Sequence, residues 1–155
     1  MLTEQEFQAA MERHLDTVYR VALNAVRIPM DAEDAAQTVM LRLWQADTVF
    51  ENDDHLRHWL IRVTVNVCRD LLRAPWRRRM VSLESCAEPV FRDTEKASLF
   101  QEVMALPVKY RLPVYLYYYE GYSAAEVGKI LRLNTSTVQT RLARGREKLK
   151  RQLEE

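Results

Sequence analysis

Residues 122–131 are Tyr-Ser-Ala-Ala-Glu-Val-Gly-Lys-Ile-Leu, and Arg132-Leu-Asn134 and a run from Thr135 to about Arg151 follow them. Ser123 and Glu126 have the spacing of a capping box, in which a hydroxyl and a carboxylate each accept a hydrogen bond from a backbone N–H at the start of a helix. Asn134 and Thr135 are turn and cap residues, so a second helix is expected to start a few residues later. Two helices joined by so tight a turn are typical of the helix-turn-helix, whose second helix lies in the major groove of DNA.

The second of these helices has an apolar side and a basic side. At about 100° per residue, Val138, Leu142, Gly145 and Leu149 fall together, and Gly145 would allow another helix to approach closely. Residues 135–151 contain six Lys/Arg and one Glu. We expect the polar and basic residues to contact base edges and phosphates; they are Ser136, Thr137, Gln139, Thr140, Arg141, Arg144, Arg146 and Lys148. The alternative is a solvated helix that is basic by chance, and the agreement of cap, turn and two faces argues against it.

Composition indicates an all-α protein. The chain has 155 residues with three Gly and five Pro, and it has few alternating Val/Ile/Thr runs that would predict strands. This length is enough for one domain or two small ones with a real core.

The net charge of +1 is distributed unevenly along the chain. Residues 1–56 hold 4 Lys/Arg against 11 Asp/Glu, whereas residues 57–82 hold 7 against 1. An acidic stretch follows, and residues 108–155 hold 10 Lys/Arg against 5 Asp/Glu. Two separated basic blocks suggest two separate contacts with a polyanion, and the acidic first block is freer to bind protein.

Several function classes have no support in the sequence. Cys68 and Cys86 lack a CxxC partner and form no metal set with the three histidines, which predicts no metal site and a reducing compartment. The N-terminus lacks an apolar signal core, and the apolar stretch from Val114 to Tyr119 is too short to span a bilayer. Phosphate-binding loops and nucleophile elbows are also missing. We therefore predict a cytoplasmic binding protein without catalytic residues, cofactor or membrane insertion.

The first half of the chain predicts amphipathic helices. One runs from Thr3 to about Val26, and Ile28-Pro29-Met30 interrupts the pattern. Asp31 is expected to cap a second helix that runs to Trp44 or Ala46, with a polar loop at 47–54 behind it. In this helix Ala32, Ala36, Val39, Met40 and Leu43 should pack inward, and Asp34, Gln37, Thr38, Leu41 and Arg42 should face outward.

A third helix is predicted from His55 to about Arg73, and it has two apolar sides. It should therefore lie centrally and expose one narrow strip, whose residues are spaced by 4, 4, 3 and 4 positions: His58, Arg62, Asn66, Arg69 and Arg73. Trp76-Arg-Arg-Arg79 continues the positive charge. Such a strip suits phosphates and bases. The alternative is a solvated face paired with local acids, of which only Asp70 is near.

A stretch without sustained periodicity separates the two halves. Residues 80–95 are interpreted as a flexible linker between a first domain, 1–79, and a second domain, 96–155. Helices are expected over Lys96–Leu106 and, after a break at Pro107, to Glu120, with Pro113 kinking or restarting the latter.

Several segments resemble a known family when taken in order. The stretch Asp31-Ala-Glu-Asp-Ala-Ala-Gln37 with Leu41-Arg-Leu-Trp44 is similar to the region-two signature of extracytoplasmic-function (ECF) sigma factors of bacterial RNA polymerase. The run Trp59–Asn66 with Asp70 and Arg73 resembles the next block. The region-four block is matched by Ala105-Leu-Pro107, Tyr110-Arg111, Tyr119–Ser123, Glu126-Val-Gly128 and Ser136–Arg144. The departures are Thr38 for the usual acid, Met40 for Phe, Ser136 for Gly and Gly145 for Ala.

The resemblance implies partners and residue roles. The first domain would dock on the clamp of the beta-prime subunit of core RNA polymerase through Asp34, Gln37, Thr38 and Leu41. The strip with Arg62, Asn66, Arg69 and Arg73 would meet the minus-ten strand of promoter DNA, and Asn52 and Asp53 would help to hold a flipped base. The second domain would read the minus-thirty-five element in duplex form, and the flap of the beta subunit and an anti-sigma factor would be further partners.

Three functions are compatible with these observations. The favoured one is an alternative sigma factor, a specificity subunit of the polymerase. A stand-alone dimeric helix-turn-helix repressor would use the first domain for dimerisation and bind a palindrome, but it would not need the second basic strip. A polymerase-binding adapter that never reads DNA would not need the basic second helix of the helix-turn-helix.

Overall fold

A computed structural model describes residues 1–73 and 94–154, with side chains described from Leu99 onward in the second range. These residues form seven α-helices and contain no β-strand, so the predicted all-α fold is confirmed. Contacts along the chain divide it into two units, Met1–Glu88 and Pro89–Glu155. The predicted domain limits at 79 and 96 stay a prediction, because most of the segment between them lies outside the described residues.

Three helices pack against one another in the first unit: α1 (Glu4–Val26), α2 (Pro29–Gln45) and α3 (Asp53–Arg73). Helix α1 begins with a capping box, in which Thr3 Oγ1 accepts from the Glu6 N–H at 3.1 Å and Glu6 Oε1 accepts from the Thr3 N–H at 3.1 Å. The five α2 residues predicted to face inward are all buried. Amphipathic periodicity therefore placed the core of this unit correctly.

The predicted start of α2 at Asp31 is wrong. The helix begins two residues earlier, at Pro29, and Ile28 precedes it without a side-chain cap. Proline at the first helical position has the φ angle of a helix already, and its missing N–H is one that no helical carbonyl would bind. Asp31 instead lies in the first turn, where its charge favours the positive end of the helix dipole.

Helix α3 also begins two residues before the prediction, at Asp53 rather than His55. Asn52 Oδ1 accepts a hydrogen bond from the His55 N–H at 2.8 Å, which is the bond that an N-cap residue makes. Along α3, Leu56, Leu60 and Val67 are buried on one apolar side, and Ile61, Val65 and Cys68 are buried on the other. Contact with both α1 and α2 confirms the predicted central position of this helix.

The second unit contains α4 (Thr94–Met104), α5 (Val108–Tyr118), α6 (Ala124–Leu131) and α7 (Thr135–Glu154). Helix α4 begins two residues inside the predicted linker, and the rest of that linker, with Trp76–Arg79, lies outside the described residues. Pro113 lies inside α5, which ends at Tyr118 rather than Glu120.

A buried arginine joins α5 to the end of α4. Arg111 Nη1 donates to the carbonyl oxygens of Leu106 at 3.2 Å and Met104 at 3.4 Å, which satisfies acceptors that the last turn of a helix leaves unpaired. The Tyr115 hydroxyl donates to Glu120 Oε1 at 2.6 Å, beneath the end of α5. These bonds fix α5, against which α7 packs.

Candidate nucleic-acid interface

The helix-turn-helix has the local structure that its sequence predicts. Ser123 and Glu126 form the capping box of α6, with hydrogen bonds of 3.1 Å and 3.0 Å. After α6, Arg132 adopts a left-handed conformation with φ 58°, and the Leu133 N–H donates to the Gly128 carbonyl oxygen at 2.9 Å. Asn134 Oδ1 then accepts from the Thr137 N–H at 2.8 Å, so an asparagine caps the second helix.

Gly128 makes this tight turn possible. A Cβ atom built on Gly128 would lie 2.6 Å from the carbonyl oxygen of Leu133 and 3.7 Å from Val138 Cγ2. The first of these is a backbone atom, so it could move only if the turn opened. The sequence pattern includes Gly128 in the motif, but only the folded turn shows why glycine is required there, since the Leu133 carbonyl oxygen occupies the space of a side chain.

The packing side of α7 was predicted correctly. Val138, Leu142 and Gly145 are buried, and Leu149 is half-buried. A Cβ atom on Gly145 would lie 2.7 Å from Val114 Cγ2 and 3.4 Å from Tyr110 Cβ, so Gly145 allows α5 and α7 to approach closely.

The residues of α7 predicted to contact DNA lie off this packing side. Six of them are exposed, namely Ser136, Gln139, Thr140, Arg144, Arg146 and Lys148. Thr137 and Arg141 are half-buried. Arg146 differs from the others because its guanidinium donates to the Tyr118 hydroxyl at 2.9 Å, which directs it toward α5.

A polar cleft of about 310 Å³ brings five of these residues together with two residues from the start of α5. Its lining consists of Lys109, Tyr110, Ser136, Thr137, Thr140, Arg141 and Arg144. Gln139, Arg146 and Lys148 do not line it. Lys109 and Tyr110 were not among the residues that the sequence predicted to contact DNA.

Tyr110 lies among positive charges. The ammonium groups of Lys109 and Lys148 are 5.0 Å and 5.7 Å from the centre of its ring, which is within the range of a cation–π contact. Partial burial acts to raise the pKa of the Tyr110 phenol, but the nearby Lys109 and Arg144 side chains lower that pKa more, and it falls below its ordinary value. The cleft is therefore electropositive at its phenol oxygen.

The outward face of α2 combines apolar and acidic side chains. Asp34, Gln37 and Leu41 are exposed as predicted, and Thr38 is half-buried with its hydroxyl donating to the Asp34 carbonyl oxygen at 3.0 Å. Met30, 64% exposed, extends this face by one turn, and Leu41 is 55% exposed. Met30 was missed because the helix start was predicted too late.

The strip on α3 is placed as predicted. Arg62 and Arg73 are exposed, whereas His58, Asn66 and Arg69 are half-buried. Since both flanking sides of α3 are buried against α1 and α2, these polar side chains share the surface that the packing leaves open.

Asn52 and Asp53 line a cavity of about 350 Å³ beside α1; Asn52 also caps α3, and Asp53 is the first residue of that helix. Asp53 Oδ1 lies 2.9 Å from Nε2 of the buried His14 and 3.0 Å from Arg13 Nη2. The hydrogen bond with His14 is the main cause that lowers the pKa of the Asp53 carboxyl below its ordinary value. Burial opposes this shift, and the charges of His14 and Arg13 add to it.

Two other kinds of site are absent from the described parts of the chain. No group of three or more His, Cys, Asp or Glu side chains there could hold a metal ion. Nor does any helix in those ranges have the length and apolar character needed to cross a membrane.

Comparison with known proteins gives two family matches that follow the two units. The family described as Sigma-70 region 2 matches residues 10–78, and Sigma-70, region 4 matches residues 97–149. The ECF RNA polymerase sigma factor SigM of Mycobacterium tuberculosis is 33% identical over 150 residues, covering 95% of this chain and 76% of the relative. SigW of Bacillus subtilis, another ECF RNA polymerase sigma factor, is 27% identical over 168 residues, covering 97% of this chain and 90% of the relative.

Solved structures have the same fold. The sigma factor RpoE from Bartonella quintana, in complex with the anti-sigma factor NepR, aligns with a TM-score of 0.77 at 18% identity over 97% of this chain and 98% of that chain. CnrH, in complex with the cytosolic domain of CnrY, aligns with a TM-score of 0.64 at 24% identity over 98% of this chain and 90% of that chain.

Proposed function

The chain belongs to the ECF RNA polymerase sigma factors of the sigma-70 family, and from this membership we propose how its two units divide the contacts with polymerase and promoter. As an alternative sigma factor it binds core RNA polymerase and directs promoter-specific initiation. The observation that carries the proposed division is the presence of one exposed basic surface on each unit, the strip on α3 and the outer face of α7.

In the second unit, α7 reads the minus-thirty-five element in the major groove. Gln139, Thr140 and Arg144 are exposed side chains of the kind that contacts base edges, with Ser136, Thr137 and Arg141 beside them. Lys148 adds charge further along the helix, and Arg146 reaches DNA only if it leaves the Tyr118 hydroxyl.

In the first unit, the strip of α3 contacts the minus-ten strand. Arg62, Arg69 and Arg73 supply charge for phosphates, while His58 and Asn66 can hydrogen-bond to bases. The cavity bounded by Asn52 and Asp53 is the place for a flipped base. The bonds of Asp53 to His14 and Arg13 keep its wall in position.

Core polymerase is bound at one mixed and one apolar surface. The clamp of the beta-prime subunit meets the α2 face formed by Met30, Asp34, Gln37, Thr38 and Leu41, which combines two exposed apolar side chains with one carboxylate. The flap of the beta subunit meets an apolar groove of about 460 Å³ in the second unit, whose wall includes Leu99, Val103, Tyr118, Leu149 and Leu153. Exposed apolar patches of this kind are typical of protein-binding surfaces.

We propose that an anti-sigma factor controls the chain by covering these surfaces, since RpoE, which has the same fold, is found in complex with the anti-sigma factor NepR. The cytoplasm, where promoter and polymerase lie, is the compartment that this function needs. A stand-alone dimeric repressor is not favoured, since its family would not match both sigma regions in one chain.

The polymerase contact can be tested by co-purification of the full chain with core RNA polymerase. Asp34→Arg should abolish it, because the substitution reverses the charge at the centre of the α2 face. The hydrogen bond from Thr38 goes to the main-chain oxygen of Asp34, so the substitution leaves that bond in place. Glu12→Arg reverses an exposed charge of α1 and should co-purify normally. Equal retention of both variants would contradict the proposed docking face.

A further inference from the structure

The cleft between the start of α5 and the first half of α7 contains side chains that are not needed for α7 to read bases. Lys109 and Tyr110 come from α5, whereas every residue assigned to the minus-thirty-five element lies on α7. Of the seven residues that line the cleft, three are cations, four carry hydroxyl groups and none is acidic. Such a lining matches an anion whose oxygens accept several hydrogen bonds.

Packing holds Tyr110 at the base of this cleft. Its side chain is only 7% exposed, and Gly145 brings α7 close to its Cβ atom. The ammonium of Lys109 lies 5.0 Å from the centre of the Tyr110 ring. Burial acts to raise the pKa of the Tyr110 phenol, but Lys109 and Arg144 are close enough to lower it below its ordinary value.

The cleft is continuous with the proposed base-reading face, because Thr140 and Arg144 belong to both. An anion bound there would therefore lie next to the base edges in the groove. In duplex DNA the anion at that place is a phosphodiester of the backbone.

We propose that this cleft binds one backbone phosphate of the promoter duplex, with Lys109 and Arg141 supplying charge and the Tyr110 hydroxyl donating a hydrogen bond to a phosphate oxygen. The inference rests on the proposed reading of the minus-thirty-five element by α7. A phosphate contact has no base preference of its own, so it sets the register in which α7 enters the groove.

The phosphate can be located with neutral backbone linkages. The chain in complex with core polymerase is bound to promoter duplexes, each of which carries one methylphosphonate at a successive position of the upstream element. At one linkage the wild-type complex should lose affinity on the order of tenfold, as expected for one charge-assisted hydrogen bond. Lys109→Ala should lose a similar amount of affinity for unmodified DNA. The methylphosphonate at that linkage should then lower the affinity of this variant hardly any further. Lys129→Ala removes an exposed lysine outside the cleft and should keep the full sensitivity to that linkage.

Tyr110→Phe keeps the packed ring and removes the hydroxyl. It should weaken all promoters equally, as Lys109→Ala does, and it should lose part of the sensitivity to the methylphosphonate linkage. A merely structural role of Tyr110 would leave that sensitivity unchanged and would overturn its contact with the phosphate.

Two results would overturn the phosphate site. The first is that the losses of affinity from Lys109→Ala and from the methylphosphonate multiply at every linkage, because Lys109 and the phosphate would then act independently. Unchanged DNA affinity of Lys109→Ala would point to an acidic protein segment as the occupant instead. Neither of these results by itself contradicts the proposed base reading by α7. That proposal would fail only if Arg144→Ala also bound the upstream element as tightly as wild type.

Discussion

Helices α3 and α7 both carry basic surfaces, but they are built in different ways. Helix α3 is buried on two sides, against α1 and α2, and exposes only a strip. Helix α7 is buried on one side, where Val138, Leu142 and Gly145 contact the rest of the second unit, and most of its circumference is open. An exposed side chain on α7 can therefore be changed with little effect on folding, whereas every turn of α3 contains both core residues and residues of the binding surface.

The largest effect is expected in the core of α3. Ile61 is fully buried on the second apolar side of α3, so Ile61→Ala should lower the free energy of unfolding of the full chain by about 2–5 kcal/mol. Urea denaturation followed by circular dichroism measures this change. Ala143→Gly on the open side of α7 is the contrast and should cost only about 1 kcal/mol, from helix propensity. Similar losses of unfolding free energy in the two variants would contradict this difference between α3 and α7.

The next effect tests the turn before α7. Gly128→Ala places a Cβ against the Leu133 carbonyl oxygen, and overpacking of this kind costs about 1–3 kcal/mol. Because the turn sets the position of α7, affinity for the upstream element should fall together with the thermal stability of the second unit. Lys129→Ala in the same helix should leave the melting temperature within a degree or two of wild type. A stable Gly128→Ala variant would show that the turn has room to relax.

The third effect separates base reading from phosphate contact on the open side of α7. Arg144→Ala should weaken promoter binding by about 1–3 kcal/mol and relax preference at one or two upstream positions. Lys148→Ala should weaken all promoters alike and reduce the salt slope by about one. Binding of the holoenzyme to a randomised upstream element, at several salt concentrations, distinguishes the two. Identical sequence profiles would mean that the faces of α7 are assigned wrongly.

The smallest effect concerns the left-handed residue after α6. Arg132 has φ 58°, which a glycine adopts without the steric cost that an L-residue carries. The greater freedom of glycine in the unfolded chain offsets part of this gain. Arg132→Gly should therefore raise the free energy of unfolding by up to about 1 kcal/mol, measured by urea denaturation. Destabilisation would show that the Arg132 side chain makes a contact worth more than the strain.

Features that depend on neighbours along the chain could be predicted from the sequence. The caps at Ser123 and Asn134 involve residues three positions apart, and the inward side of α2 follows from helical periodicity. The start of α2 was missed although it is also local, because Asp31 resembles a cap and Pro29 resembles a break. Proline is compatible with both a break and a first helical turn, and only the packing of the helix decides between them.

Features that depend on tertiary approach could not be predicted. Lys109 and Tyr110 join the α7 cleft because Gly145 lets α5 come close, and periodicity contains no information on which helices meet. The bond of Asp53 to His14 likewise joins residues 39 positions apart. The residues proposed to contact DNA were found from helix facing, charge and the family resemblance, and their contacts stay predictions.

The central claim is that the two basic surfaces read two separate promoter elements when the chain is bound to core polymerase. Run-off transcription by core polymerase and the chain on a genomic promoter library, followed by sequencing of the transcript starts, tests it most directly. We expect two conserved elements upstream of each start, with Asn66→Ala changing only the element nearer the start and Gln139→Ala changing only the farther one. Tight binding of a palindrome by the free chain, or a change in the same element by both variants, would contradict it.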